Sequence, residues 1–485
     1  RPGGKIRSVP SALGPVAAGP TVLTLKAVFD DVFAALGEHL DDHLCMRKLP
    51  VIARHFWPDG SRLDLTDSPE ANRAAIASFS GEDAAAAFIR FHEDTRALFE
   101  HFERPMMCSP RPSLATLGLT VLRRPSLSRA MAPLRSLGAH LAGRFSDARL
   151  AQLFGRYATY VGGSPYLSPA LLSLIWQAEA TGVWHVEGGL HRLPDALEKL
   201  CRNRGATFLY DSHVTLIECD GGRVATVEIE GQRRITADIV VFNGDPRALA
   251  RGALGNDVER AAHQTLTAPR SLSAAVWSFA ATVSGPDLSH HNVFFSGNGQ
   301  REFEELRTGF FPEDPTIYIC AQDRGPGKAR TPGAAERFEI ILNAPPRDGG
   351  SYPDMEFQTC LTRTFGMLRR FGLTFDPLPG PASLTRPQDF EAMFPESSGS
   401  LYGQSPHGLT AALNRPRART PIRGLYLAGG GTHPGAGLPM AALSARHAVE
   451  TIVADLALRS TFRRTVMPGG MSTGSATIGP GPFRS

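Results

Sequence analysis

The stretch Gly424-Leu-Tyr-Leu-Ala-Gly-Gly-Gly-Thr-His-Pro-Gly-Ala-Gly-Leu-Pro-Met-Ala-Ala-Leu-Ser-Ala-Arg446 constrains the fold more than any other part of the chain. Residues 425–428 read as a short apolar strand. Gly429, Gly430 and Gly431 follow at once, then a turn with Pro434, Gly435 and Gly437. From Leu438 the periodicity is helical, with Ala441, Leu443, Ala445 and Val449 able to pack. A strand that breaks on glycines and restarts as a helix brings backbone N–H groups close to a ligand, and the helix start adds partial positive charge. Such a site suits a phosphate or the electron-rich edge of a redox ring. An ordinary strand–turn–helix joint is the plainer alternative, but five glycines between 429 and 437 exceed what a joint needs.

At 485 residues the chain can hold two or three domains, and 42% hydrophobic with 20% charged residues marks it as globular. A net charge of +4 over that length gives no electrostatic footprint for nucleic acid. The six cysteines (45, 108, 201, 219, 320, 360) lie far apart without a Cys-x-x-Cys pair, so neither a metal centre nor a disulfide scaffold is expected. Reduced thiols fit a cytoplasmic protein. No uncharged apolar run reaches transmembrane length, and no secretory signal is read. The chain opens on Arg1-Pro-Gly-Gly-Lys-Ile-Arg, as though mid-domain.

Along the chain, Thr24 is expected to cap a helix over 25–40, and 51–65 to form a hairpin turning at Pro58-Asp59-Gly60. Residues 81–103 read as an amphipathic helix with Phe88, Phe91, Leu98 and Phe102 inward. Residues 111–184 read as mostly helical. Strands are expected at 207–210, 213–219, 224–230 and 235–242, the last three as a glycine-bounded meander. Further strands are expected at 274–279, 316–321 and 338–343, a helix at 356–371, and a disordered tail over 459–485.

Seven motifs in order carry a family resemblance: Pro2-Gly3-Gly4-Lys5 with Arg7, Ala18-Gly19-Pro20-Thr21, Gly163-Ser164-Pro165-Tyr166, Val186-Glu-Gly-Gly-Leu190, Ala237-Asp-Ile-Val-Val-Phe-Asn-Gly-Asp-Pro246, Gly399-Ser-Leu-Tyr-Gly403 and the C-terminal glycine block. Over residues 1–456 the chain resembles the phytoene-desaturase-type carotenoid desaturases, within the two-dinucleotide-binding-domain flavoproteins. Gly14-Pro15-Val16, Asp314-Pro-Thr-Ile-Tyr-Ile-Cys-Ala-Gln-Asp-Arg324 and Pro439-Met440-Ala441-Ala442-Leu443-Ser444 are most similar to the 1-hydroxycarotenoid 3,4-desaturases (methoxyneurosporene dehydrogenases) of purple bacteria. The family's opening Gly-x-Gly-x-x-Gly and its acidic partner are not in this chain, a difference of about one βαβ unit.

The resemblance implies an α/β (α+β mixed) flavoprotein fold. A discontinuous Rossmann-like FAD domain would comprise 1–60, 181–250 and 415–457, and a substrate- and membrane-facing domain 61–180 and 251–414. It implies FAD as cofactor and an oxidoreductase acting on CH–CH groups, with hydride passing from an acyclic carotenoid to flavin N5, because side chains cannot accept hydride. Gly3, Gly4, Lys5 and Arg7 would lie along the diphosphate, Gly19, Pro20 and Thr21 near the flavin ring, and Val214 beside adenine. Gly430 and Gly431 would face the ribityl–phosphate stretch, with Gly437, Leu438, Pro439 and Met440 at the flavin edge. Oxygen or a quinone would reoxidise it.

No Ser-His-Asp or Cys-His constellation names a catalytic group. His433, inside the glycine turn, Asp323 and Arg324, at a strand end, and Arg156 are candidates, each with a plainer role: backbone scaffolding for His433, an ion pair for Asp323 and Arg324, a solvated or salt-bridged face for Arg156. Residues 114–145 mix Leu, Met and Ala with Arg123, Arg124, Arg129, Arg135 and Arg144, as a segment peripheral to the inner (photosynthetic) membrane would. A solvated helical face explains the same pattern. The alternatives are a phytoene desaturase or carotene isomerase on the same scaffold, a flavin amine oxidase, and a flavin-free carotenoid-binding protein.

Overall fold

The computed structural model describes residues 1–230, 233–327, 331–346 and 353–464. Its centre is an eight-stranded mixed sheet. In chain order the strands are β1 (Ala53–Phe56), β2 (Arg62–Leu65), β3 (Ser273–Ser284), β4 (His291–Phe294), β5 (Ile317–Ala321), β6 (Glu336–Ala344), β7 (Thr374–Asp376) and β8 (Leu384–Thr385). Across the sheet the order is β7-β3-β6-β5-β4-β1-β2, with β8 also on β3. The expected hairpin turns where the Pro-Asp-Gly chemistry puts it. Its two strands, which flank residue 60, pair with each other and join this sheet through the parallel contact of β1 with β4.

Alternation along the strands makes two different faces. On one, Phe56, Phe294, Ile317, Leu342, Trp277 and Phe338 form an apolar core closed by the helix Phe357–Arg370. Trp277 satisfies its indole N–H on Thr364 Oγ1 at 3.1 Å, as a buried indole requires. The other face carries polar side chains. Register places His291 opposite Cys320, Cys320 opposite Glu339 and Glu339 opposite Ser278. His55, Val293, Tyr318 and Ile341 form the next row. Four neighbouring strands thus put a stripe of polar groups inside the molecule.

Over part of that face lies a helical layer. The amphipathic helix Glu82–Phe102 buries Phe88, Phe91, Leu98 and Phe102 as its spacing predicts. With Trp57, Phe145, Phe154 and Trp176 it forms a second core. The meander appears as Val214–Asp220, Arg223–Ile229 and Arg233–Thr236. The expected 235–242 strand divides: Val240–Phe242 leaves the meander and pairs in parallel with Leu425–Leu427, directly before the glycine block.

Three local expectations need correction. Thr24 does not cap the first helix; Leu25, at φ 48°, occupies the cap position without a side-chain bond. That helix is Lys26–Ala35 and stops early because Gly37, at φ 74°, ends it: Glu38 N donates to Phe33 O and Gly37 N to Ala34 O. Residues 207–210 form no strand and have no strand partner among the described residues, and Leu209 there is exposed. At the other end, the helix Leu438–Arg464 runs past residue 459. The rest of the expected tail, 465–485, lies outside the described residues.

Candidate functional site

Contacts close a ring around the glycine block. Gly19 packs so tightly on Lys5 that a Cβ would come 2.0 Å from Lys5 O. Lys5 Nζ donates to Leu401 O at 2.5 Å and lies over the Phe394 ring. A Cβ on Gly403 would stand 3.1 Å from Gly431 Cα, and one on Gly431 2.6 Å from Pro246 Cδ. Asp245, before that proline, ion-pairs with Arg270. Arg415 threads the ring, donating to Tyr402 O (3.0 Å), Gly430 O (2.9 Å) and Gln404 O (2.8 Å). Burial lowers Lys5 to about 8 and Arg415 to about 10. Lys5, Arg270 and Arg415 therefore stand as three buried cations around one carboxylate, an excess that favours an anionic ligand.

The expected cofactor residues divide. Gly3 (φ 99°) makes a turn closed by Ile6 N donating to Gly3 O; beside Gly4 (φ 55°) a Cβ would meet open space. The same open space lies beside Gly430, on the strand-to-helix turn. Gly437 (φ 109°) accepts from Ala441 N and precedes Leu438, which packs with Leu23, Phe29, Leu190 and Leu193; Pro439 is buried and Met440 half-buried. Arg7 Nη2 donates to Thr385 Oγ1 at 2.6 Å, and its guanidinium lies over Phe390. Val214 packs into the core of Ile217, Leu249, Leu425 and Leu427, a structural position.

The 17–21 segment lies on the polar face of the sheet. Ala17 N donates to Gln322 Oε1 (2.9 Å), Gln322 Nε2 returns to Ala17 O (2.6 Å), and Gly19 N donates to Glu339 Oε1 (2.7 Å). Pro20 and Thr21 line a pocket with His185, Leu190, Cys320 and Glu339. Glu339 is fully buried; its Oε2 has no hydrogen-bond partner, and burial raises its pKa to about 8, so it is a neutral acid at pH 7.

Arg156 begins the turn Arg156–Val161, above the same face. Its guanidinium lies 5.6 Å and 5.0 Å from the ring centroids of Tyr157 and Tyr160, whose hydroxyls both donate to the buried Glu179. Arg156 Nε and Nη2 have no hydrogen-bond partner. Arg156, Tyr160, Tyr318 and Tyr402 are half-buried. His55 and His291 are fully buried, both driven to about 3 chiefly by burial, with Arg156 repelling the charged form of each.

The remaining candidates are held by the scaffold. His433 bonds Ser109 O at 2.8 Å, stacks on His447, and falls to about 4 through burial. Asp323 grips Arg337, and Arg324 grips Glu336 at 2.6 Å. Among the described residues the fold also gathers His290, His291 and Cys320, with ligand-type atoms within 4.8 Å of one another, a grouping that no spacing in the sequence revealed. The expectation of no metal rested on spacing alone and does not cover such a cluster. Asp245 lay in a quoted motif, but Arg415 and Glu339 carried no signal.

These features fit a flavin nucleotide: surplus cations for a diphosphate, open glycine backbone at the junction, and a neutral acid with a spare oxygen beneath the 17–21 segment. A family model described as flavin containing amine oxidoreductase matches residues 1–453. The chain is 53% identical over 459 residues to a hydroxyneurosporene desaturase of Cereibacter sphaeroides, covering 95% of this chain and 92% of the relative. It is 28% identical to a 1-hydroxycarotenoid 3,4-desaturase of a Flavobacterium species, covering 94% of this chain and 91% of the relative. A solved putrescine oxidase variant superposes with a TM-score of 0.56 at 14% identity, covering 94% of this chain and 91% of that one. That likeness establishes the amine oxidase-like fold.

Proposed function

The chain belongs to the flavin-containing amine oxidoreductase family that includes the hydroxyneurosporene desaturases, and from that membership we propose an FAD-dependent carotenoid desaturase that introduces the 3,4 double bond into acyclic carotenoids oxygenated at C1. One observation supports the reading most: near-complete alignment at 53% identity with a hydroxyneurosporene desaturase.

FAD, when bound, supplies the acceptor for a hydride and takes on negative charge. The protein's part is electrostatic and steric. Lys5, Arg270 and Arg415 would hold the diphosphate side, with Gly430 leaving room for close backbone approach. Glu339 keeps its proton at neutral pH, so no carboxylate opposes the charge developing nearby.

The substrate is an apolar rod that resides in a membrane. No helix among the described residues is long and apolar enough to cross one. The helices Leu114–Arg123 and Pro125–Met131 expose Leu122 (77%), and just beyond them Leu134 is 97% exposed, among Arg123, Arg124, Arg129 and Arg135. This surface would rest on an anionic bilayer, with oxygen or a quinone as the final acceptor. Neutralising those arginines should weaken binding to anionic liposomes; unchanged binding would reject the docking.

Cells supplied with the gene and one precursor at a time provide the functional test. Accumulation of 3,4-didehydro products from 1-hydroxy carotenoids is expected. Activity confined to phytoene, or hydrogen peroxide from amines with carotenoids unchanged, would overturn the reading.

A further inference from the structure

Two imidazoles and one thiol converge on the polar face of the sheet. His290, His291 and Cys320 are all buried, and one ligand-type atom from each lies within 4.8 Å of the others. Strand register brings them together: His291 opens β4 directly opposite Cys320 of β5, and His290 precedes it.

Cys320 Sγ and His290 Nε2 stand 3.6 Å apart. A thiol–imidazole hydrogen bond has that length, and so does one edge of a tetrahedral zinc site. Zinc bonds of about 2.1 Å to nitrogen and about 2.3 Å to sulfur put the two ligand atoms about 3.6 Å from each other. His291 carries a second, independent mark of a ligand. Its Nδ1 shares a 2.7 Å hydrogen bond with the Tyr318 hydroxyl, the outer partner that orients a coordinating imidazole. Its Nε2 is buried with no hydrogen-bond partner, which costs stability unless something satisfies it.

We propose that His290, His291 and Cys320 form a zinc site, with its fourth position toward the pocket that His290 and Cys320 line beside Thr21 and Leu190. Nitrogen and sulfur donors are the set zinc takes, whereas magnesium and calcium require oxygen. The pocket encloses roughly 50 Å³, room for a water as the fourth ligand. Coordination needs the three donor atoms to converge on one another, not to face solvent, and a closure of about 1 Å in the widest pair completes the tetrahedron. Binding exchanges the Cys320 thiol proton, released to solvent, for a bond from thiolate to the cation. The ion ties β4 to β5 beneath the 17–21 segment, a role that does not depend on which carotenoid is the substrate.

Elemental analysis of the full chain, produced with zinc supplied and then dialysed, should find one zinc per molecule. Cobalt(II) in its place should give a sulfur-to-cobalt charge-transfer band and the intense visible bands of a four-coordinate ion. Cys320→Ser should remove the charge-transfer band, while Cys45→Ser, at the exposed thiol, should keep it. Tyr318→Phe, which retains the ring, should weaken zinc affinity by about 10- to 100-fold. Wild-type protein that is folded by circular dichroism yet holds no zinc and gives no cobalt band would overturn the site and leave a thiol–imidazole hydrogen bond only. A band that survives Cys320→Ser, or one that vanishes with Cys45→Ser, would overturn it as well. Copper retained in preference to zinc would overturn the metal assigned.

Discussion

Replacing Glu339 by Gln should stabilise the protein, by an amount that depends on pH. Glu339 is 0% exposed, and its folded pKa is about 8 against an ordinary 4.5. Between those values the folded state keeps a proton that the unfolded chain has released. Stability therefore falls as pH rises through that window, at about 1.4 kcal/mol per unit. The wild type should lose about 3 kcal/mol between pH 4.5 and pH 7, and about 4 kcal/mol by pH 8, above which the loss levels off. Gln cannot ionise, keeps an oxygen for Gly19 N, and escapes the penalty. Urea unfolding of both proteins at fixed FAD concentration, from pH 4.5 to 9, measures the difference. It should start near zero, reach about 3 kcal/mol in favour of the variant at pH 7 and about 4 kcal/mol at pH 8, and plateau only above pH 8. A difference that stays flat with pH would show that Glu339 ionises normally in the fold, and the neutral-acid argument would fail.

The glycines give a matched pair. Gly430→Ala meets open space, so stability should change by less than about 0.5 kcal/mol while flavin affinity drops about tenfold; flavin titration and thermal melts separate the two effects. Gly19→Ala drives a Cβ to 2.0 Å from Lys5 O at φ 109°, and should cost at least about 3 kcal/mol, seen as a lower urea midpoint with little flavin retained. His433→Ala should lower stability by about 1–2 kcal/mol through its lost bond to Ser109 O, yet leave kcat within about twofold. A much larger fall in turnover in a correctly folded variant would return His433 to the catalytic candidates.

Local chemistry made several elements legible in advance. The Pro-Asp-Gly turn, the phenylalanine spacing of Glu82–Phe102 and the glycine-bounded meander each depend on neighbours in sequence. The polar stripe depends on register between distant strands. His291, Cys320 and Glu339 acquire a common face only once β4, β5 and β6 are paired. Arg415 looks like one arginine among many, because its three carbonyl acceptors come from two loops, one holding Tyr402 and Gln404 and the other Gly430. Residues 207–210 showed the converse: apolar and aromatic character invites a strand, but without a neighbouring strand the backbone has no ladder to join. Arg7 is expected at the diphosphate from its place in a motif, and its bond to Thr385 Oγ1 arises only once distant segments meet.

Anaerobic mixing of the flavin-loaded protein with a 1-hydroxy acyclic carotenoid probes the central claim without any cellular background. Loss of the flavin's blue absorbance should keep pace with a carotenoid product two hydrogens lighter and unsaturated between C3 and C4. Persistent flavin colour with the carotenoid recovered intact, while an amine or phytoene does bleach the flavin, would contradict the account.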